Sequence, residues 1–470
     1  MNDSQRIQAV DVTPRDDDSV EISLYEKRER IHPKSIHGRF EQIRNMTVWT
    51  TMGIYLLGPW LRWDDRQAIL FDLPARQFHI FGFSFWPQDF VFLSWLLILG
   101  AFSLFFFTVL AGRVYCGYVC PQTTWTRFFT KIEEWLEGDR NARLKLDAAP
   151  WSPTKLFRRG SKHVLWLALA FATGLTFVGY FSPITELTVR VFSFDLGFWE
   201  FFWIAFFTGA TYMNAGWMRE QVCKYMCPYA RFQSVMFDRD TLIVSYDERR
   251  GEPRTRGAKS RDQDAAGDCI DCGLCVQVCP TGIDIRDGLQ YECITCAACI
   301  DACDLVMDKI NRPRGLIRYT TEHALEGGKT HVFRPRMIGY GVMLALMGVV
   351  FMVALASRVP ADLDVIRDRT KLYRTASNGH IQNSYRLELH NMSQQAQTYQ
   401  LGFRGPEGLV WSGPEEVTMN AGETQTVGVT LGFDPFLQVV ETQPVWFTLQ
   451  SRTDESIRTE HESRFIAPAQ

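Results

Sequence analysis

Five apolar stretches interrupt an otherwise polar chain of 470 residues, at 45–61, 90–112, 164–181, 196–217 and 337–356. A helix rises about 1.5 Å per residue, and the hydrocarbon layer of a bilayer is about 30 Å thick, so each stretch is near the length needed for a transmembrane helix. The segment 90–112 holds no charged residue, and 337–356 is charge-free between Arg336 and Arg358. The first stretch is shorter and ends in Gly58-Pro59, and the fourth carries Glu200 near one end. After residue 358 the pattern changes to alternating runs such as Tyr385-Arg386-Leu387-Glu388-Leu389 and Val427-Gly428-Val429-Thr430-Leu431, with turn signals at Gly405-Pro406 and Asn420-Ala421-Gly422. That rhythm predicts about seven short strands in an antiparallel, immunoglobulin-like sandwich without an inter-sheet disulfide. The charged, glycine-bearing segment 247–268 reads as a solvated linker.

Lysine and arginine set the orientation, because cytoplasmic loops keep the positive excess. Residues 1–44 carry eight, 62–86 three, 113–162 ten, 182–195 one and 218–336 eighteen. The alternation puts the N-terminus, 113–162 and 218–336 in the cytosol, and five crossings send 358–470 to the opposite face. The first 25 residues lack an apolar core, which argues against a cleaved signal peptide. The expected architecture is multi-domain. A cytosolic segment (1–44) precedes a four-helix membrane domain (45–246), an inserted α+β two-cluster ferredoxin-type domain (247–336), a fifth transmembrane helix (337–357) and an all-β sandwich (358–470).

Composition agrees with such a mixture. The chain is 46% hydrophobic and 22% charged, and its mean hydropathy of -0.11 averages apolar spans with polar domains. A net charge of -3 gives no reason to expect nucleic-acid binding.

Cysteine placement says more, since all twelve lie between Cys116 and Cys303. Cys269, Cys272, Cys275 and Cys279-Pro280 form C-x2-C-x2-C-x3-C-P, and Cys293, Cys296, Cys299 and Cys303 repeat the spacing. In a two-cluster ferredoxin run the fourth cysteine of each motif ligates the other cluster. Cys269, Cys272, Cys275 and Cys303 are therefore expected to hold one [4Fe–4S] cluster, and Cys293, Cys296, Cys299 and Cys279 the second. Zinc is the alternative, but its sites use one or two C-x2-C pairs. Asp304 stands where a proline is expected, which predicts a changed turn and a retained ligand. No G-x-G-x-x-G opens a βαβ unit, and Gly327-Gly328-Lys329-Thr330 lacks the first glycine of a phosphate loop because position 323 is His323. No C-x-x-C-H appears and no histidine lies inside a predicted span, so electrons must come from an unidentified donor rather than a bound haem.

The other four cysteines form two C-x3-C-P motifs, Cys116/Cys120 after the second span and Cys223/Cys227 after the fourth. Spacing of i, i+4 places both sulfurs of a pair on one helix face, and the predicted topology sets both pairs at one depth. A soft four-sulfur set suits Cu(I), electron relay or a transient disulfide. The alternative is that these cysteines pack helix ends, with each proline as a helix stop. Arg113 and Lys224 are expected to favour thiolate. Met343, Met347 and Met352 read as packing or lipid-facing residues, and Glu200 is a functional hint.

The order of these features resembles the cytochrome c oxidase accessory protein family of cbb3-type oxidases, the CcoG/FixG/RdxA group. Cys116 to Gln122, Cys223 to Tyr229, the double ferredoxin run and the sandwich tail carry the resemblance, which extends from about Tyr25 to the C-terminus. It implies a bacterial inner-membrane protein that reduces Cu(II) to Cu(I) in copper supply and oxidase assembly. Copper chaperones or oxidase subunits would be its partners, with a homo-oligomer also open. It also implies that Cys116, Cys120, Cys223 and Cys227 are copper or electron-relay positions. Two other functions fit the residues: a polyferredoxin subunit linked to quinone or a periplasmic reductase, and a non-catalytic copper-binding scaffold.

Overall fold

The structure is a computed structural model that describes residues 30–63, 66–255, 267–368, 371–377, 379–393, 395–433 and 442–467, and the backbone of two short strands, Thr13–Pro14 and Val20–Glu21. The expectation for the first 25 residues, and the middle of the expected linker, lie outside the described residues.

Helices occupy all five apolar stretches, and among the described residues three are long and apolar enough to cross a membrane: 87–111, 153–179 and 335–356. The helix Arg39–Leu57 starts with Arg39, Glu41 and Arg44 in its first two turns. The fourth is regular only over Phe198–Thr211 and widens into a π-helix at Tyr212–Met218, ending at Arg219 with φ +45. The π-turn carries Gly216, against which Trp166 lies so closely that a Cβ would meet its ring at 3.1 Å. The helices Phe90–Ala111 and Pro335–Ala356 pack on one another through Phe92, Trp95 and Phe351. Their other faces lie open, as apolar helices do when lipid replaces a protein neighbour. The helix Pro153–Gly179 is partly buried against Phe198–Thr211 and the amphipathic helix Pro121–Glu137.

At one end of these helices sits the cysteine-rich unit. Strand Ile243–Tyr246 pairs antiparallel with Ile317–Thr320, so the unit begins upstream of the expected boundary at 247. Between these strands lie the short helix Leu274–Gln277 and the longer helix Ala298–Lys309. The expected turn at Asp304 is absent. The helix runs through it, and its carboxylate accepts a hydrogen bond from Gly315 N at 2.9 Å.

At the other end lies the sandwich. One sheet orders strands Ala361–Arg367, Ile381–Asn391, Thr424–Phe433 and Leu409–Ser412, with Arg374–Thr375 also on Ile381–Asn391; the other orders Glu416–Met419, Gln397–Arg404, Gln443–Ser451 and Arg458–Phe465. These are nine strands among the described residues, two more than the alternation suggests, because Arg374–Thr375 and Leu409–Ser412 are too short to show a period. Leu387, Leu389, Leu431 and Phe433 of one sheet meet Tyr399, Phe447, Leu449 and Phe465 of the other in one core. A three-stranded sheet in the segment between the first two helices, Ile69–Asp72, Gln77–Ile80 and Phe83–Phe85, docks on this end. Gln77 donates to the Gly422 carbonyl at 3.1 Å, and Arg358 donates to Asp89 at 3.0 Å.

Candidate electron-transfer centre

The ferredoxin run folds as two backbone-level repeats. Asp271 and Gly273 in the first motif, and Thr295 and Ala297 in the second, take left-handed conformations with φ from 50 to 63. A left-handed residue with a Cβ costs about 1–2 kcal/mol, and here the cost turns three successive cysteines of each motif toward one hollow. Cys269, Cys272, Cys275 and Cys303 line one hollow. Cys279, Cys293, Cys296 and Cys299 line a second that also borders Cys275, so the two are neighbours. Four thiols around an apolar hollow fit a cubane cluster held by its four irons. Burial pushes the Cys275 thiol up to about 11 and those of Cys293 and Cys303 up to about 12, so loading the sites expels protons. Among the cysteines lining the first cavity, Cys272 is exposed.

The two C-x3-C-P motifs differ from the expected single helix face. Cys116 lies in the helix Val114–Tyr118, and Cys120 is the N-cap of the next helix, Pro121–Glu137. Cys223 lies in a π-turn, Val222–Met226, and Cys227 caps Pro228–Met236. Each proline therefore starts a helix instead of stopping one, because its missing N–H and fixed φ suit the first helical position. The Cys120 thiol faces the free Gln122 and Thr123 N–H groups, although burial still raises it.

Gln233 ties the motifs together. Its Oε1 accepts from Cys116 Sγ at 3.3 Å and from Arg113 Nε at 3.2 Å, while its Nε2 donates to Thr108 at 3.2 Å. The four thiols are electrostatic neighbours: Cys223 is raised by burial and then by Cys120, Cys116 and Cys227. Burial also pushes Cys116 up to about 11, overriding the pull of Arg113, so the expected thiolate bias from the nearby cations does not prevail for Cys116 or Cys223. Among the described residues no three His, Cys, Asp or Glu side chains are gathered closely enough to hold a single metal ion.

The first motif sits directly on the second cluster loop. A Cβ on Gly117 would stand 2.7 Å from the Ile294 carbonyl oxygen and 3.0 Å from Cys296 Cα, and Cys116, Ile294, Cys296 and Ala298 share one small core. From the first helix, the Arg44 guanidinium reaches the Cys296 thiol. Asp301, between Cys299 and Cys303, accepts from the backbone N–H of Phe40 at 3.2 Å and of Glu41 at 2.7 Å. It caps a helix whose own N-cap, Gly38, has no side chain to do so.

Sequence reasoning missed the charge cluster beneath these motifs. Glu133 is fully buried and meets Arg30 at 2.7 Å, Arg219 at 2.9 Å, and Arg143 and Lys162 at 3.4 Å each. Burial by itself would raise this carboxyl, but Arg219, then Lys162 and Arg30, hold it down at about 2. Because Arg219 stands four residues before Cys223, at the break between the two π-helical segments, the cluster holds the chain that enters the second motif. The available signal was the spacing Thr130, Glu133, Glu137 on one face of an amphipathic helix. Glu200 caps its own helix, accepting from Gly197 N at 3.2 Å, and pairs with Arg190 at 2.7 Å.

Comparison with known proteins agrees with this layout. Family models match residues 92–143 as a 4Fe-4S binding domain, 218–322 as a 4Fe-4S dicluster domain, and 351–468 as the IG-like fold at the C-terminus of FixG. The nitrogen fixation protein FixG of Rhizobium meliloti is 41% identical over 453 residues, covering 88% of this chain and 85% of that protein. RdxB of Cereibacter sphaeroides is 44% identical over 431 residues, covering 87% and 90%. The crystal structure of a FixG-related protein from Vibrio parahaemolyticus is 34% identical, covers 23% of this chain and 95% of its own, and superposes with a TM-score of 0.21. An iron–sulfur redox protein with a double ferredoxin run, membrane-length helices and an immunoglobulin-like tail, the chain belongs to the FixG/RdxA/RdxB family.

Proposed function

We propose that the protein is a five-span inner-membrane electron carrier that reduces Cu(II) to Cu(I) for assembly of a cbb3-type oxidase. Its ferredoxin unit would lie in the cytosol and its sandwich in the periplasm. Cys269, Cys272, Cys275 and Cys303 hold the first [4Fe–4S] cluster, and Cys279, Cys293, Cys296 and Cys299 the second. When bound, each cluster supplies a one-electron carrier. Cu(II), the substrate, takes one electron near Cys116, Cys120, Cys223 and Cys227, whose soft sulfurs suit the Cu(I) product.

The observation that carries this reading is the contact of Gly117 with the Cys296 backbone, which seats the first thiol pair against a cluster loop. Gln233 holds Cys116 and joins it to the helix that Cys227 caps, and the charge cluster around Glu133 fixes the approach of Cys223.

The test is to reduce the purified protein anaerobically and add one equivalent of Cu(II) with a Cu(I)-specific chelator. The reduced-cluster EPR signal is expected to disappear in step with Cu(I) formation. Replacing Cys116 and Cys120 by serine is expected to stop the reaction while both cluster signals persist. Clusters that stay reduced in the presence of Cu(II) would reject copper as the acceptor.

A further inference from the structure

A half-open apolar cavity of about 310 Å³ lies at the sandwich end of the helices, far from the cysteines. Phe71 and Phe78 of the three-stranded sheet, Phe90 and Leu93 of the helix Phe90–Ala111, Phe181, and Phe351 of the helix Pro335–Ala356 line it. Both of the mutually packed membrane-length helices therefore contribute a wall. Asp89 is the one charged residue in the lining, and Arg358 neutralises it by donating from Nε at 3.0 Å.

Polarity, size and depth decide what fills this space. A cavity of about 150 Å³ with aliphatic and aromatic walls stays dry and takes a benzene-sized guest, and this one is about twice that size. Left empty, it would forfeit the packing contacts of its walls. Its open side is at membrane depth. Leu93 and Leu96, which also lines the cavity, are half exposed at 49% and 53%. They stand four and seven residues beyond Asp89, which at 1.5 Å per residue is roughly 6–10 Å into the apolar layer. Phe351 lies equally far inside from Arg358 on the other helix. A molecule entering past these leucines comes sideways out of the bilayer.

We infer that this cavity binds an acyl chain of a membrane phospholipid. An isoprenoid quinone shares the apolar chemistry, but its ring would sit at the opposite end of the helices from every cysteine. The bound chain braces the seat of the sandwich, because the same walls carry the contacts between them. Trp86 lines the cavity and is 5% exposed, and its ring lies 5.6 Å from that of His390 in the sandwich. Gln77, on the strand that bears Phe78, donates to the Gly422 carbonyl. The assignment uses the membrane-length helices and neither the clusters nor copper.

Native mass spectrometry of the detergent-solubilised full chain tests it, first as purified and then after delipidation and incubation with phosphatidylglycerol–phosphatidylethanolamine vesicles. One retained phospholipid per chain is expected in both states. Leu93→Trp, which puts an indole into the hollow, is expected to abolish retention, whereas Leu97→Trp, on the same helix but outside the lining, keeps it. If Leu93→Trp is not recovered folded, Leu96→Trp decides the question in the same way. Hydrogen exchange across Ile69–Asp72 and Gln77–Ile80 is expected to slow when the lipid is restored to the unmodified protein and to stay unchanged in the blocked variant. Retention of detergent or quinone alone, or equal phospholipid retention by the blocked variant, would overturn the site. Bound lipid with no slowing of exchange would overturn its bracing role.

Discussion

Glu133 shows how much a single buried side chain can carry. Removing one member of a buried ionic cluster costs about 3–5 kcal/mol, because it strands the opposite charges without water. Glu133→Gln leaves Arg30, Arg143, Lys162 and Arg219 facing a neutral amide, and thermal unfolding in detergent is expected to show a loss of that size. Its pH dependence has a definite sign. An ordinary glutamate titrates near 4.3, and this one is depressed to about 2. Its stabilisation is therefore complete above the ordinary value and is lost as pH falls through about 2, giving an acid-unfolding limb that Glu133→Gln should lack. The sequence offered only the spacing of Thr130, Glu133 and Glu137 on one helix face, within a segment, 113–162, that reads as a basic cytosolic loop. Charge counts record sign but not which charges are buried together. The double ferredoxin run was legible because cluster chemistry fixes the spacing of its cysteines.

For the secondary-structure elements, two glycines near the clusters predict opposite behaviour. Gly273 is left-handed, but a Cβ there meets nothing within 4 Å, and Ala297 occupies the equivalent place in the second repeat. Gly273→Ala is expected to cost about 1–2 kcal/mol of backbone strain and to keep full cluster loading by iron assay. Gly117→Ala drives a methyl group into the Ile294 carbonyl and the Cys296 backbone. Overpacking of that kind costs about 1–3 kcal/mol. Both clusters are expected to remain, with stopped-flow reoxidation by Cu(II) slowed about tenfold or more as the thiols are displaced. The C-x3-C-P motifs show where pattern reading failed. Counting i, i+4 assumes a continuous helix, whereas the proline after each second cysteine begins a new one and leaves that cysteine as its cap. The fourth apolar stretch departs from a regular helix for a related reason: composition reports apolar length, while the π-turn at Tyr212–Met218 depends on packing between Gly216 and Trp166.

Across the whole molecule, the helices separate two dissimilar ends, cysteine-rich and all-β, and each end is tied to the helices by its own contacts. The proposed five crossings predict that a tag after residue 470 is cut by protease added to intact spheroplasts, and that one inserted within 256–266 is protected until the membrane is broken. Protection of both, or exposure of both, would require a different number of crossings. The alternation of positive charge is the basis of that proposed arrangement, and the period-two pattern made the sandwich readable because it reflects solvent contact along a single element. The joints between domains were not readable, since they depend on residues far apart in sequence. Asp301 is one such joint, and it bears on the timing of synthesis. The N–H groups of Phe40 and Glu41 emerge 261 and 260 residues before the carboxylate that caps them. At about 5–20 residues per second, that is a wait on the order of tens of seconds. Throughout that interval the first helix lacks its final partner, and it acquires one only when most of the double ferredoxin run has been made. Delivery of iron and sulfide to the nascent ferredoxin unit thus becomes coupled to how firmly the beginning of the chain is seated.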